Sequence, residues 1–330
     1  MSTYSLHSSV ETRVFRQDLG RLYQAHNAPS GDLASPIFLA TLTLDAQHYG
    51  FKARQAGKNY WAPFPEVLPD GGRGKRILDI GTGTGVWSGF SPVIWSGLID
   101  RAIEIAQEFP NAEVIGLDLA PVQKDQDVPF NCQFIIEDAA RGIPFPDGYF
   151  DIVHARVLIV GVRNWKSLID DMVRVTRPGG LIVSVEMIGR FVIDGLTIEE
   201  QRRLVPGIVK WSDYLSAALD NRGLDSCAGR DTVPRIMRNH PQLGDVEIAY
   251  CPIPLWPWSD DPHLKHAGEV MLADTVHCAE TTRLLVVDGC GIPGSVYDQV
   301  PIDFQADIGK PEAHCVLPAW HNWAFKLSNM

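Results

Sequence analysis

The sequence predicts an α/β fold built on a doubly wound, mostly parallel sheet. Three observations carry this. Five short apolar runs of strand length recur between residues 75 and 190. Segments with helical periodicity separate them. A glycine-rich turn, "GTGTG" at 81–85, follows the first run directly. Parallel strands need a long crossover and are buried on both faces, so they read as apolar runs alternating with helices.

The elements follow in order. Residues 1–40 are mixed and rich in Ser, Ala and Pro, and are expected to be partly extended. Over 41–57, Leu44, His48, Phe51 and Gln55 recur at helical spacing and predict a helix stopped by Gly57. "NYWAPFPEVLPDGGRG" reads as a Pro/Gly connection. "KRILDI" is the first strand, "NAEVIGLDL" the second, "CQFIIED" the third, "FDIVHARVL" the fourth and "GLIVSVEM" the fifth. Helices are expected at 99–109 and 165–176. After Met187 the pattern changes. A helical stretch at 196–220, a strand "DVEIAYCPIPL", one long helix at 262–286 and a closing strand "AHCVLPAWHNWAFKL" are expected. The organisation expected is an N-terminal helical extension over the site (1–74), the α/β core (75–190), and a helical cap followed by final antiparallel strands that complete a seven-stranded sheet (191–330).

Composition narrows the function. The chain has 330 residues, 45% of them hydrophobic and 21% charged, which suits a packed core. A net charge of -11 and the lack of a basic run argue against nucleic acid as a partner. No window reaches the roughly 18 apolar residues of a membrane span, and "MSTYSLHSSVETRVF" has no apolar signal core. The six cysteines are scattered without a CxxC, so reduced thiols and a cytoplasmic location are expected, with the nucleus as the alternative. No Cys/His quartet has metal-ligand spacing, so no metal is expected. The oligomeric state is open.

Ligands of open α/β sheets sit at the carboxyl ends of the strands, where the strand order reverses. "LDIGTGTG" is at such an end. Asp79 closes the strand, and Gly81, Gly83 and Gly85 let the backbone turn and approach a ligand. Asp118, at the end of the second strand, suits two ribose hydroxyls, which fits both NAD and S-adenosylmethionine. Asp138 and Ala139, after the third, suit an adenine edge: the carboxylate receives the exocyclic amine and the backbone N–H meets a ring nitrogen.

Taken together, "DIGTGTG" (79–85), "LDL" (117–119), "EDA" (137–139), "FPDGYFD" (145–151) and "RPGG" (177–180) resemble the motif series of class I S-adenosylmethionine-dependent methyltransferases. More narrowly, "GRLYQAHN" (20–27), "LDAQHYGFKARQAGKNYWAP" (44–63) and "VPFNCQFIIEDA" (128–139) resemble the fungal LaeA-like methyltransferases of secondary metabolism. The first signature departs at Gln24, where that group usually has His.

The resemblance implies a Rossmann-like sheet and S-adenosylmethionine as cofactor. Gly81 and Gly83 would approach its methionine end, and Asp79 would orient its amino group through the loop. Asp118 would hold the ribose, and Asp138 with Ala139 the adenine. Thr82 and Leu119 belong to the same cofactor set, and Arg21, Tyr23 and Tyr60 would lie over the cofactor. Methyl transfer from a sulfonium is mainly a matter of positioning and water exclusion, with a base needed only for a protonated acceptor. His154, Glu186 and His48 are the proton-acceptor candidates, all expected on one cleft. Trp211, Tyr214, Trp256 and Trp258 are expected either to line an apolar pocket for an aromatic or terpenoid acceptor or to form the core of the cap. The expected function is methyl transfer to a small secondary metabolite, at O or N. The alternatives are a LaeA-like regulator acting through protein partners, a pseudoenzyme, and a nicotinamide-dependent oxidoreductase.

One segment breaks the pattern. Asp118 follows Gly85 by 33 residues, against about 20 in a Rossmann unit. Removing the 14 residues 88–101 leaves 19 and a continuous loop, helix and strand. The segment also echoes itself, "VWSGF" at 86–90 and "IWSGL" at 94–98. It reads as a natural loop, as mistranslated intron sequence, or as the lesion of a pseudoenzyme. A surface bulge is expected, with the helix restarting near Gly97. A displaced helix start would take its N–H groups away from the ligand's carboxylate.

Overall fold

The structure is a computed structural model and describes residues 15–18, 21–24, 41–82, 101–119 and 128–328. The central apolar runs become strands because they place two faces of β-branched and leucine side chains in the interior, while the edge run Cys132–Ile136 is only partly covered. β1 (Phe15–Asp18) and β2 (Arg21–Gln24) pair antiparallel as a separate hairpin. α1 (Thr41–Arg54) ends before Gly57, which takes a φ of 84°, and α2 (Phe64–Val67) leads toward the sheet.

The sheet is assembled from β3 (Arg76–Ile80), β4 (Glu113–Asp118), β5 (Cys132–Ile136), β6 (Phe150–Arg156), β7 (Thr176–Met187), β8 (Val192–Ile193), β9 (Glu247–Pro254) and β10 (Cys315–Phe325). Its order is β5-β4-β3-β6-β7-β10, with β9 and the two-residue β8 both paired to β10. The ladders from β5 through β7 are parallel, and β10 runs antiparallel to β7 and to β9. This is the doubly wound, mostly parallel sheet expected, with a helical region inserted before the last strands. The strand order reverses at β3/β6, and the carboxyl ends of the strands at such a reversal are where open α/β sheets bind their ligands.

Ile77, Leu78, Val114, Ile115, Ile152, Val153, Leu181 and Ile182 form the centre of the core and are at most 1% exposed. Each contributes about 1.5–3 kcal/mol by leaving water. α3 (Arg101–Glu108) connects toward β4, and α4 (Trp165–Val175) connects β6 to β7. Asn164 caps α4 by accepting from Ser167 N at 3.0 Å. α1 packs closely on α8 (Pro262–Thr281): a Cβ on Gly50 would lie 2.7 Å from Met271 Sδ.

The cap differs from the sequence reading in two places. The helix expected at 196–220 is two, α5 (Ile198–Leu204) and α6 (Pro206–Asn221), because Pro206 cannot continue the first. α7 (Val233–Arg238) follows. The long helix expected at 262–286 breaks at Thr282, between α8 and α9 (Arg283–Cys290). There the Thr282 hydroxyl donates to Cys278 O at 2.8 Å and accepts from Trp211 Nε1 at 2.8 Å, so a side chain competes with the helical ladder. Two short helices, α10 (Gly294–Tyr297) and α11 (Gln299–Gln305), precede β10. Of the two settings expected for the cap aromatics, the structure shows mainly core packing. Trp211 is 1% exposed against Phe191 and Phe304, and Trp256 is buried. Trp258 donates to Cys315 O at 3.0 Å. Tyr214 is half-buried beside an open surface groove with Arg202, Pro206, Lys210 and Asp213. No helix among the described residues is long and apolar enough to cross a membrane.

Candidate functional site

The carboxyl ends of β3, β4 and β5 lie side by side. Ile80 is level with Leu117, and Asp118 with Ile136. Gly81 donates to Leu117 O at 2.8 Å and turns out of the strand with a φ of 67°. Only glycine suits the place, since a Cβ would lie 2.3 Å from Leu158 Cδ2. Thr82 is buried beside it. Gly83 lies outside the described residues, as does the segment 88–100. The helix expected to restart near Gly97 is described from Arg101 onward.

Asp79 is fully buried. Arg101, the first described residue of α3, meets it at two points: Nη2 is 2.6 Å from Oδ1, and Nε is 2.9 and 3.0 Å from Oδ1 and Oδ2. His154 Nδ1 is 2.9 Å from the same Oδ1. Burial pushes the Asp79 carboxyl up, but the Arg101 charge and the His154 hydrogen bond outweigh it and hold it at about 2. Burial and the Arg101 charge hold His154 at about 4, against the pull of Asp79. The imidazole is therefore neutral at pH 7. A carboxylate on Nδ1 makes that atom the donor and leaves Nε2 as the basic nitrogen.

The remaining predicted residues fall into separate settings. Asp118 ends β4 half-buried, with Leu119 next to it, and its carbonyl accepts from Glu137 N at 3.0 Å. Asp138 accepts from Ala140 N at 3.0 Å and pairs with Arg141 at 3.3 Å, so it caps the short turn that Ala139 begins. Tyr60 stacks on Phe64 at 4.2 Å, and its hydroxyl donates to Glu108 of α3. Tyr23 lies in β2.

His48 of α1 belongs to a second polar cluster. Its Nδ1 accepts from Arg156 Nη2 at 2.7 Å and its Nε2 donates to Glu104 at 3.1 Å, while Lys52 pairs with Glu104 at 2.6 Å. Burial holds His48 at about 4 despite Glu104. With both nitrogens engaged, it has no lone pair to offer an acceptor.

Glu186 is not on the same face as the histidines. Val185 is level with Arg156 and Ser184 with Ala155, so Glu186 projects from the opposite pleat to His154 and Arg156. The expectation of one shared cleft is corrected for this residue. Glu186 is fully buried, Oε1 accepts from Leu158 N at 2.8 Å, and Oε2 has no partner. Burial raises its carboxyl to about 8, so at pH 7 it is a neutral donor rather than a base.

Four residues were not anticipated in these roles: Arg101, Arg156, Glu104 and His321. His321 of β10 is level with Val185, on the face that carries Arg156, and neither ring nitrogen has a partner. Its ring lies 4.7 Å from Trp61 and 6.0 Å from Phe51. Among the described residues, no group of three or more His, Cys, Asp or Glu is placed to hold a metal ion.

With this geometry in hand, comparisons with known proteins converge. Residues 47–206 match the family model described as a methyltransferase domain. The chain is 29% identical over 211 residues to the secondary metabolism regulator laeA of Coprinopsis cinerea, covering 62% of this chain and 48% of that one. It is 28% identical to methyltransferase str3 of Strobilurus tenacellus (69% and 72% covered). It is 25% identical to methyltransferase pytC of Aspergillus terreus (84% and 77%). Against the laeA regulators of Coprinopsis cinerea and Aspergillus flavus, the chain spans 48% and 64% of the relative's length. Among solved structures, phosphoethanolamine N-methyltransferase 2 of Haemonchus contortus with S-adenosyl-L-methionine is 18% identical, with a TM-score of 0.47 and 91% and 62% covered.

Proposed function

We propose that this chain, which carries an S-adenosylmethionine-dependent methyltransferase domain resembling the LaeA-like proteins, transfers a methyl group to a small secondary metabolite, at O or N. The observation that carries the proposal is the row of Gly81, Asp118 and Asp138 on three adjacent strand ends within that domain. Relatives named as methyltransferases, str3 and pytC, support it.

The residues present suit the adenosine half of the cofactor. Asp118 has two carboxylate oxygens for two ribose hydroxyls, and Asp138 with the Ala139 N–H has the acceptor and donor of an adenine edge. Gly81 and Thr82 line the approach to the methionine half, where Asp79 is held by Arg101. When bound, the cofactor supplies an electrophilic methyl on a sulfonium. The chain's own part is to hold the acceptor in line and to exclude water. For an O–H or N–H acceptor, His154 takes the proton at Nε2, with Asp79 fixing its tautomer. Six unpaired cysteines fit a reducing compartment such as the cytoplasm or nucleus.

A second reading is a regulatory protein that binds the cofactor without small-molecule turnover. Two of the relatives named above carry the name of regulators. Incubation with methyl-labelled S-adenosylmethionine and a panel of phenols, amines and terpenoids separates the two. Label in a small molecule supports the enzyme. Cofactor binding with no label in any small molecule overturns it in favour of the regulator.

A further inference from the structure

We propose that Arg101 is an internal cation in the cofactor cradle, which competes with the positively charged end of S-adenosylmethionine and sets the chain's affinity for it. The inference rests on the reading that the cofactor binds at the ends of β3, β4 and β5.

The cradle is defined by what Arg101 touches. Besides both oxygens of Asp79, its Nη2 lies 3.4 Å from Ile80 O and 3.4 Å from Gly81 O. A carboxylate and two carbonyls converge on one point, and all of these groups accept hydrogen bonds. Such a set selects a cation. It sits at the mouth of the glycine turn, where β3 ends and Gly81 takes its left-handed conformation. At neutral pH the cofactor carries two cationic groups, an α-ammonium and a sulfonium, beside a single carboxylate. The cation that the cradle selects is already present as part of the chain.

Arg101 is 3% exposed, so its guanidinium meets Asp79 with little solvent screening. A second cation arriving there must share one carboxylate with a guanidinium or displace it. Either course costs the methionine end affinity that a free Asp79 would give. The neutral adenosine half, bound at β4 and β5, is untouched by this competition. Arg101 is also the last residue of the stretch 88–101 that separates the glycine turn from the expected helix. The same 14 residues that lengthen the spacing therefore end in the side chain that fills the cradle.

The test compares S-adenosylmethionine with 5′-methylthioadenosine, which keeps the adenosine half and has a neutral thioether with no ammonium. In the unmodified protein, calorimetric titration should give the two ligands similar affinity, within about threefold. In Arg101→Met, which keeps the length and removes the charge, S-adenosylmethionine should bind about tenfold more tightly, with 5′-methylthioadenosine unchanged. In Arg101→Lys, which keeps the charge, S-adenosylmethionine affinity should stay near that of the unmodified protein. Far-UV circular dichroism checks that the variants fold. If Arg101→Met does not fold, the comparison in the unmodified protein decides. There, S-adenosylmethionine binding about 30-fold or more tighter than 5′-methylthioadenosine overturns the inference. So does weaker S-adenosylmethionine binding in a folded Arg101→Met. Both of those results leave the cofactor reading standing. Failure of the unmodified protein to bind either ligand overturns the cofactor reading and the inference with it.

Discussion

Arg101 and Asp79, 22 residues apart in the chain, form a buried ion pair with Nη2 2.6 Å from Oδ1 and with Nε bridging both oxygens. Removing one partner of such a pair leaves the other buried and uncompensated. Asp79→Asn should therefore lower unfolding stability by about 3–5 kcal/mol. Urea denaturation followed by circular dichroism measures it. A loss under about 1 kcal/mol would mean that the pair is solvated in solution.

Gly81 holds a backbone conformation that other residues resist. Gly81→Ala must adopt a φ of 67° with a Cβ against Leu158. The conformation alone costs about 1–2 kcal/mol. The double variant Gly81→Ala/Leu158→Ala should recover the contact part and leave the conformational part. Full recovery in the double variant would show that the backbone conformation there is not left-handed.

Stability should peak near pH 6.5, the ordinary histidine value. His48, His154 and His321 are held near 4, 4 and 3, so below 6.5 the unfolded chain takes up protons that the folded chain refuses. Glu186 and Asp274 are both raised to about 8 by burial, so the folded chain keeps two protons that the unfolded chain has released. Between 4.5 and 6.5 the three deeply buried histidines, joined by His240, which burial also lowers, outweigh the two carboxyls, so the unfolded state binds more protons and stability falls as pH drops. From 6.5 to 8 only the two carboxyls count, and stability falls as pH rises. Each net proton changes stability by about 1.4 kcal/mol per pH unit. Asp79 and Glu104, both lowered to about 2, add a further loss as pH falls from about 4 toward 2. Urea midpoints measured from pH 4 to 9 trace the curve. A plateau from 6.5 to 8 would contradict the protonated state of Glu186 and Asp274.

Glu186 separates the two roles of a buried acid. Glu186→Gln keeps an oxygen for Leu158 N and should leave stability at pH 7 within about 1 kcal/mol, while removing part of the loss above pH 6.5. Glu186→Ala strands the Leu158 N–H and should cost about 1–3 kcal/mol. Equal losses in the two variants would assign the effect to packing instead.

Much of this was legible in the chain. The central parallel strands β3, β4, β6 and β7 appear as apolar runs because both of their faces are buried, and Gly81 was marked by the strand end before it. Asp79, Asp118 and Asp138 were legible because strand ends locate a crevice without knowledge of side-chain packing. Their partners were not. Arg101 and Asp79 meet through a fold that brings a helix against a strand end, and no local pattern encodes that. One signal was available: Arg101 lies four residues before Ile105 on the buried stripe of α3, and a buried arginine needs a carboxylate. Glu186 was placed with the histidines because it ends a strand as His154 nearly does. The register between β6 and β7, which sets opposite pleats, cannot be read from either strand alone. His321 was hidden in a closing strand whose alternation reads as ordinary packing. The break at Thr282 depends on Trp211, 71 residues away.

The central claim is that S-adenosylmethionine binds across the ends of β3, β4 and β5, with its ribose on Asp118. The most direct measurement is calorimetric titration of S-adenosylmethionine into the unmodified protein and into Asp118→Ala. One site per chain is expected, with a loss of about tenfold or more in Asp118→Ala from two lost charge-assisted hydrogen bonds. No binding to the unmodified protein, or equal affinity in the variant, would contradict it.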